Sequence, residues 1–133
     1  MQIFGITISL PVAIATIAIC CMLFDFISGV VKAAALNELS SSKMREGLAH
    51  KAAVLLYLVG GLGICGIAHI LAAFPEISSI AALSGIGILG DGLAYAMFAT
   101  VIIMEVRSVY ENINAINPDL PIPDAIKHID EGD

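Results

Sequence analysis

The chain has 133 residues, of which 59% are hydrophobic and 14% charged, with a mean hydropathy of +0.95. A soluble domain of this length cannot bury so much apolar surface, so the excess must face lipid, and there is no room for a catalytic domain of ordinary size. The net charge is −6, but the acids concentrate in residues 119–133, so the overall charge says little about partners.

The first apolar segment predicts a transmembrane helix over about residues 11–34. Pro11 suits the first helical position, and Ser9 is a candidate cap. The helical rise from Pro11 to Val31 is about 31 Å at 1.5 Å per residue, which matches a hydrocarbon core of roughly 30 Å. The start, MQIFGITISL, has no basic residue, so we expect no cleaved signal peptide.

Residues 37–51 are polar, with a serine cluster at 40–42 that can cap a following helix. They predict a short, weakly amphipathic interfacial helix before the second span, residues 52–74, which Pro75 ends. Small residues let helix backbones approach closely in lipid. We therefore expect helix packing at Gly29 and Ala33 of the first span and at four glycines of the second: Gly60, Gly61, Gly63 and Gly66.

The third span is ambiguous because residues 77–90 are apolar but short, and Asp91 interrupts the run. One interpretation is a single tilted or broken helix over 80–104, which we favour; the other makes 77–90 re-entrant or interfacial, with the span starting near Asp91. Helix should continue to about residue 116, where Asn117 and Pro118 stop it. A Pro-rich, acidic, extended tail then occupies 117–133. The sequence thus predicts one all-α membrane domain, residues 1–133, with three transmembrane helices.

The basic residues predict an orientation. None precedes the first span, and none lies between the second and third. The positive-inside rule then places the N-terminus outside and the C-terminus in the cytoplasm, which requires an odd number of spans. The residues that carry this argument are Lys32, Lys43, Arg45 and Lys51 after the first span, and Arg107 and Lys127 after the third.

Charged residues within or beside the spans are the candidates for pore lining or oligomer contacts: Asp25, Lys32, Asp91 and Glu105. A charge at mid-bilayer costs about 2.5–3.5 kcal/mol even on the most lenient scale. Lys32 shares a helix face with Asp25 and can reach the interface. Asp25 lies deeper in the span and has a shorter side chain, so it should face protein or water. The alternative to a role in pore lining or oligomer contacts is a carboxyl group that only holds the helices together. Glu105 is equally compatible with a solvated position beside Arg107.

Other patterns predict no chemistry. Residues 85–90 match the dinucleotide-binding GxGxxG pattern. However, they lie in a stretch that is apolar enough to lie in a membrane, and no βαβ unit surrounds them. Close helix packing or a helix break is therefore favoured. The cysteines should be buried hydrophobes, and we expect no Cys–His cluster with metal-ligand spacing. His69 is interpreted as an outer-interface residue. No catalytic site, cofactor or nucleic-acid partner is expected.

Three segments, in order, resemble the phage lysis and toxin-secretion holin family. Residues 23–33 (LFDFISGVVKA) are similar to its "D-x-x-x-G-x-x-x-A" signature, and residues 38–48 (ELSSSKMREGL) to its inner loop. Glu105, Ser108 and residues 111–112, followed by LPIP at 120–123, resemble its closing pattern. The sequence departs from that pattern at residues 117–119, where Asn-Pro-Asp stands in place of the usual glycine.

The resemblance implies a protein that accumulates in the bacterial cytoplasmic membrane and then assembles with copies of itself into holes. Such holes release an endolysin, without necessary direct contact, or dissipate the membrane potential. Two alternatives remain open on the residues alone. One is a non-lytic membrane scaffold or transporter subunit, and the other is an antiholin, a regulator from the same family.

Overall fold

A computed structural model describes residues 2–3, 6–7, 9–80 and 85–120. At the N-terminal end, strand β1 (Gln2–Ile3) pairs antiparallel with β2 (Ile6–Thr7). Three long helices follow: α1 (Leu10–Ala35), α2 (Ser41–Ala72) and α4 (Ile86–Ile116). Between the last two lies a single helical turn, α3 (Pro75–Ser78).

The three long helices confirm the all-α membrane class. Each is long and apolar enough to cross a bilayer, and large apolar side chains cover their outer surfaces; Leu56, Phe24 and Ile88 are all more than 60% exposed. A soluble monomer does not leave so much apolar surface in water. The chain is therefore a multi-pass membrane protein.

Helix α1 has local sequence reasons for both of its ends. Pro11 lies in its first turn, and Ser9 precedes it with extended backbone, although the Ser9 side chain makes no capping hydrogen bond. At the other end Asn37 adopts a left-handed conformation, with φ of 55°, which asparagine tolerates better than most residues. The Glu38 amide then donates to the Ala33 carbonyl at 2.8 Å, which closes the helix end.

Helix α2 is one unbroken helix of 32 residues, about 48 Å long at 1.5 Å per residue. The residues predicted to form a short interfacial helix are therefore the N-terminal part of α2 and continuous with the second span. The Ser40 hydroxyl caps the helix by accepting from the Lys43 amide at 3.2 Å. No proline or turn signal separates the polar residues 43–51 from the apolar residues of the second span. The polar residues therefore form the first turns of α2.

The third span begins at Ile86, between the two predicted starts. The turn α3 and the bend at Ser79 and Ile80 take up part of the 77–90 segment, and residues 81–84 lie outside the described part. The prediction that helix continues to residue 116 is confirmed, and Asn117, with extended backbone, ends it. Of the predicted tail, residues 121–133 lie outside the described residues.

Helix α4 is the centre of the bundle because both other long helices pack mainly against it. The Phe98 ring is fully buried and lies over Gly61, where a Cβ atom would come within 2.7 Å of Phe98 Cε1. Gly90 meets α2 still more closely, because a Cβ there would overlap that of Ala68. The remaining buried apolar residues of this core are Ala15, Ala18, Leu58, Cys65, Ala94 and Val101.

The predicted packing glycines divide into three groups. Gly61 contacts Phe98 closely, whereas a Cβ at Gly29 or Gly60 would only touch a side-chain atom, at 3.6 Å from Asn112 and 3.9 Å from Met97 respectively. A Cβ at Gly63 or Gly66 would meet nothing within 4 Å. Ala33 is half-buried. Close helix packing in residues 85–90, favoured over a cofactor motif, is seen at Gly90.

Two glycines on α4 provide a matched test of the close helix contact. Gly90→Ala should destabilise the protein by about 1–3 kcal/mol because α2 and α4 must move apart to admit the methyl group. Gly92→Ala should be neutral or slightly stabilising, since a Cβ there meets nothing within 4 Å and alanine favours helix. Unfolding of the purified protein in detergent, followed by circular dichroism, measures both. Equal stabilities would contradict the packing.

Candidate functional site

Three charged side chains, one from each long helix, meet in the bundle. The Lys51 ammonium on α2 lies 2.5 Å from Asp25 Oδ2 on α1, and it also pairs with Glu105 Oε2 on α4. The side chains are 12%, 10% and 4% exposed for Lys51, Asp25 and Glu105. A single ammonium thus bridges two carboxylates and links all three helices.

Asn112 extends this arrangement toward the C-terminal end of α4. Its amide nitrogen donates to Asp25 Oδ1 at 3.1 Å and to Ser28 Oγ at 3.0 Å. Its amide oxygen accepts from Lys32 Nζ at 3.1 Å. We call these six residues, Asp25, Ser28, Lys32, Lys51, Glu105 and Asn112, the ion network.

The ion network balances its own charge. It contains two carboxylates and two ammonium groups, so the formal charges cancel. Buried ions are tolerated when their partners are close and the remaining polar atoms are bonded. Among the described residues, every buried side-chain nitrogen or oxygen has a hydrogen-bond partner. Asp25, Lys51 and Glu105 can therefore lie within an apolar bundle with little of their charge exposed to lipid.

The structure places the candidate residues as follows. Asp25 and Lys32 both contact Asn112, as their shared face allows. Glu105 is buried and pairs with Lys51, so the alternative of a solvated acid beside Arg107 does not hold; Arg107 bonds Glu111 instead, at 2.8 Å.

Sequence reasoning missed three members of the network: Ser28, Lys51 and Asn112. In the sequence Lys51 contributes to the predicted orientation, but it also directly precedes the apolar span, where its ammonium needs a partner. Asn112 entered only as part of a family motif. Its position seven residues after Glu105 places both on one face of α4. This spacing is the sequence signal that could have identified Asn112 as part of the same polar site.

A cavity of about 310 Å³ lies beside the ion network, between α1 and the first turns of α2. Lys32, Lys51 and Asn112 line one part of it, and Lys43 and Glu38 another. Lys43 Nζ donates to Glu38 Oε2 at 2.9 Å, which lowers the pKa of this loop carboxyl below its usual value. Charged groups therefore form part of the cavity lining, and each of those named has an ion-pair or hydrogen-bond partner.

A second polar cluster lies near the other end of the bundle. Asp91 Oδ1 on α4 accepts from Cys65 Sγ at 3.0 Å and lies 2.9 Å from His69 Nε2, both on α2. Cys65 is buried, and the His69 side chain is 57% exposed. This arrangement contradicts the expectation that no Cys–His cluster has metal-ligand spacing. The cluster is not visible in the sequence because its third group, Asp91, lies on another helix.

The two clusters are separated by a layer without charged groups. Residues 51 and 65 on α2 are fourteen positions apart, as are residues 91 and 105 on α4, which corresponds to about 21 Å at 1.5 Å per residue. The residues between them on both helices include no Asp, Glu, Lys, Arg or His. Each cluster therefore lies toward one edge of a hydrocarbon layer that is roughly 30 Å thick.

Lys51→Met tests the ion network. The substitution leaves the Asp25 and Glu105 carboxylates facing each other without a cation, which should lower the free energy of unfolding by about 3–5 kcal/mol. Lys43→Met, on the same helix, removes an exposed pair and should change stability little. Detergent unfolding of both variants and their yield in membranes measure the effect. A Lys51→Met protein as stable as Lys43→Met would contradict the assignment.

Comparison with known proteins agrees with this architecture. A family model described as the bacteriophage holin family matches residues 3–131, which include all three long helices and both polar clusters. No curated protein and no solved structure matches the chain. Because the match covers nearly the whole sequence, the chain belongs to the bacteriophage holin family.

Proposed function

We propose that this holin accumulates in the bacterial cytoplasmic membrane and assembles with copies of itself into holes. The holes release an endolysin or other large cargo and dissipate the membrane potential. Membership of the holin family supports this proposal, as does the size of the bundle. Three helices cannot enclose a wide lumen, so a hole for an enzyme needs many copies.

One observation carries the proposal: one charged side chain from each of the three spans meets the other two inside the bundle. A hole needs a hydrated wall, yet the lipid-facing surfaces of the described helices are mainly apolar. The polar groups available for such a wall are those of the ion network, joined by Asp91 and its partners. Opening of the bundle would turn these groups toward water.

This assigns two states to the same residues. In the closed bundle, Asp25, Lys51 and Glu105 satisfy each other and allow the chain to accumulate without harm. In the open state, they line the lumen together with Lys32 and Asn112, and water replaces their protein partners. Gly63 and Gly66, beside which the protomer leaves open space, are available for contacts between copies.

We also propose the orientation that the basic residues predict, with the N-terminus outside and the C-terminus in the cytoplasm. The ion network then lies near the cytoplasmic face. The Cys65–His69–Asp91 cluster lies near the outer face. Labelling of a single cysteine introduced into the loop at residues 37–40, from either side of the membrane, reports this orientation.

Two alternatives give different phenotypes when the chain is expressed alone. A scaffold or transporter subunit would use the ion network as a fixed structural or transport site and leave the cells intact. An antiholin would also leave them intact but would delay lysis by a partner holin. A hole-forming holin should stop growth abruptly, with loss of membrane potential and leakage of large molecules.

Asp25→Leu separates a lumen role from a purely structural one. Lys51 keeps Glu105 as a partner, so the chain should still insert, but each subunit loses one charge from the proposed lumen. We expect lysis to be delayed or abolished at an equal membrane level, measured by turbidity after timed induction together with an endolysin. Glu46→Gln, an exposed acid on α2, is the matched control. Normal lysis timing in Asp25→Leu would rule out the role.

A disulfide between α2 and α4 tests whether these helices must separate. A Cβ at position 87 would lie 3.6 Å from Ala72 Cβ, within the usual range of about 3.5–4.5 Å for a disulfide. In a background without Cys20 and Cys21, Ala72→Cys with Gly87→Cys should block lysis when oxidised, and a reductant should then trigger it.

The single variant Ala72→Cys, in the same background, controls for the substitution itself. It should lyse at the normal time under oxidising conditions. Unchanged timing in the oxidised double variant, with the cross-link verified by mass spectrometry, would contradict the separation of α2 from α4 and place the opening elsewhere.

A further inference from the structure

The second polar cluster contains three different metal-ligating groups. Cys65 and His69 are four residues apart on α2, so they lie one above the other on one helix face. Asp91 reaches them from the second turn of α4. The thiol sulfur, an imidazole nitrogen and a carboxylate oxygen all lie within 4.8 Å of one another, although 22 or more residues separate Asp91 from the other two in sequence.

We propose that Cys65, His69 and Asp91 form a binding site for a divalent transition-metal ion, with Zn²⁺ as the best fit. Sulfur, imidazole nitrogen and carboxylate oxygen are the three ligand types that Zn²⁺ takes in proteins. A thiolate and an imidazole together disfavour Mg²⁺ and Ca²⁺, which prefer oxygen ligands alone.

The two contacts at Asp91 need only small side-chain movements to accommodate the ion. Tetrahedral ligands at about 2.0–2.3 Å from zinc lie about 3.3–3.8 Å apart, against hydrogen-bonded contacts of 3.0 and 2.9 Å at Asp91 Oδ1. His69 is exposed enough to rotate outward by that difference. Because the protein offers three ligands, the fourth position falls to a water molecule on the exposed side.

Metal binding would replace hydrogen bonds with coordinate bonds. The Cys65 thiol would release its proton to solvent as the thiolate binds, and the imidazole would bind through a nitrogen without a proton. The Asp91 carboxylate would exchange its two hydrogen-bond donors for the cation. The close contact of Gly90 with Ala68 holds Asp91 near Cys65, so part of the site is formed before the ion arrives.

The site would join α2 to α4 at the end of the bundle opposite the ion network. An ion that binds only when Cys65, His69 and Asp91 are together stabilises the packed helix pair. Under the proposed function, metal binding would therefore hold the bundle closed. The site itself does not depend on that function and is tested on the purified chain, so failure of either proposal is distinguishable from failure of the other.

The experiment is a Zn²⁺ titration of the full-length protein, without a polyhistidine tag, in detergent micelles and in competition with a chromogenic chelator. We expect one ion per chain. Cys65→Ser and His69→Gln should each weaken binding at least tenfold, and Co²⁺ loaded in place of Zn²⁺ should show a thiolate charge-transfer band that Cys65→Ser removes. Zinc should also raise the Tm of the unsubstituted protein.

Cys20→Ser and His50→Gln are the matched controls, since both residues are exposed and lie away from the cluster. They should bind zinc as the unsubstituted chain does. Absence of stoichiometric binding would overturn the proposal. So would binding that survives both Cys65→Ser and His69→Gln, or binding that the control substitutions remove, because either result would place the ion elsewhere. His69→Gln changes an exposed side chain, so the test remains decisive if Cys65→Ser fails to fold.

Discussion

The high cost of an unpaired charge in hydrocarbon is the constraint on which this bundle depends. Lys51 lies near one edge of the apolar layer, and two carboxylates from other helices meet its ammonium group. Since each long helix supplies one of the three ions, none of the helices can leave the bundle without separating an ion pair. The relative register of α1, α2 and α4 follows from that meeting point.

Packing then determines how closely the helices approach. In lipid, association depends on van der Waals contact and hydrogen bonds, because the surrounding chains are as apolar as the side chains. Helices α2 and α4 meet where one side has no side chain, at Gly61 against Phe98 and at Gly90 against Ala68. These contacts bring Asp91 to Cys65 and His69, so the second cluster is a consequence of the glycine positions.

The sequence was sufficient for several properties that depend on a single helix. The number of spans, the ends of α1 and the stop at Asn117 follow from hydrophobic length and from local signals at Pro11 and Pro118. These features need no knowledge of which helix faces which.

Properties that depend on two helices were harder to predict. Lys51 could not be assigned to Asp25 and Glu105, because pairing depends on the rotation of each helix about its axis. The same limit applies to Asp91 with His69, and to the difference between Gly61, which packs, and Gly63, which does not within the protomer. The start of α4 was misplaced because the apolar residues before it fit a helix or an interfacial segment equally well.

A closed bundle in which every buried side-chain nitrogen and oxygen of the described residues is hydrogen-bonded has no internal reason to open. Under the proposed function, the drive must therefore come from contacts between copies, through surfaces such as the one at Gly63 and Gly66. Packing contacts of this kind are individually weak in lipid, so the free energy of assembly depends on how many copies are present. Opening also separates Lys51 from its carboxylates, which costs several kcal/mol per protomer unless water reaches them. Many contacts between copies and water around every ion network are both available only in a large assembly with a shared lumen. The opening of the hole is therefore linked to the accumulation of the protein.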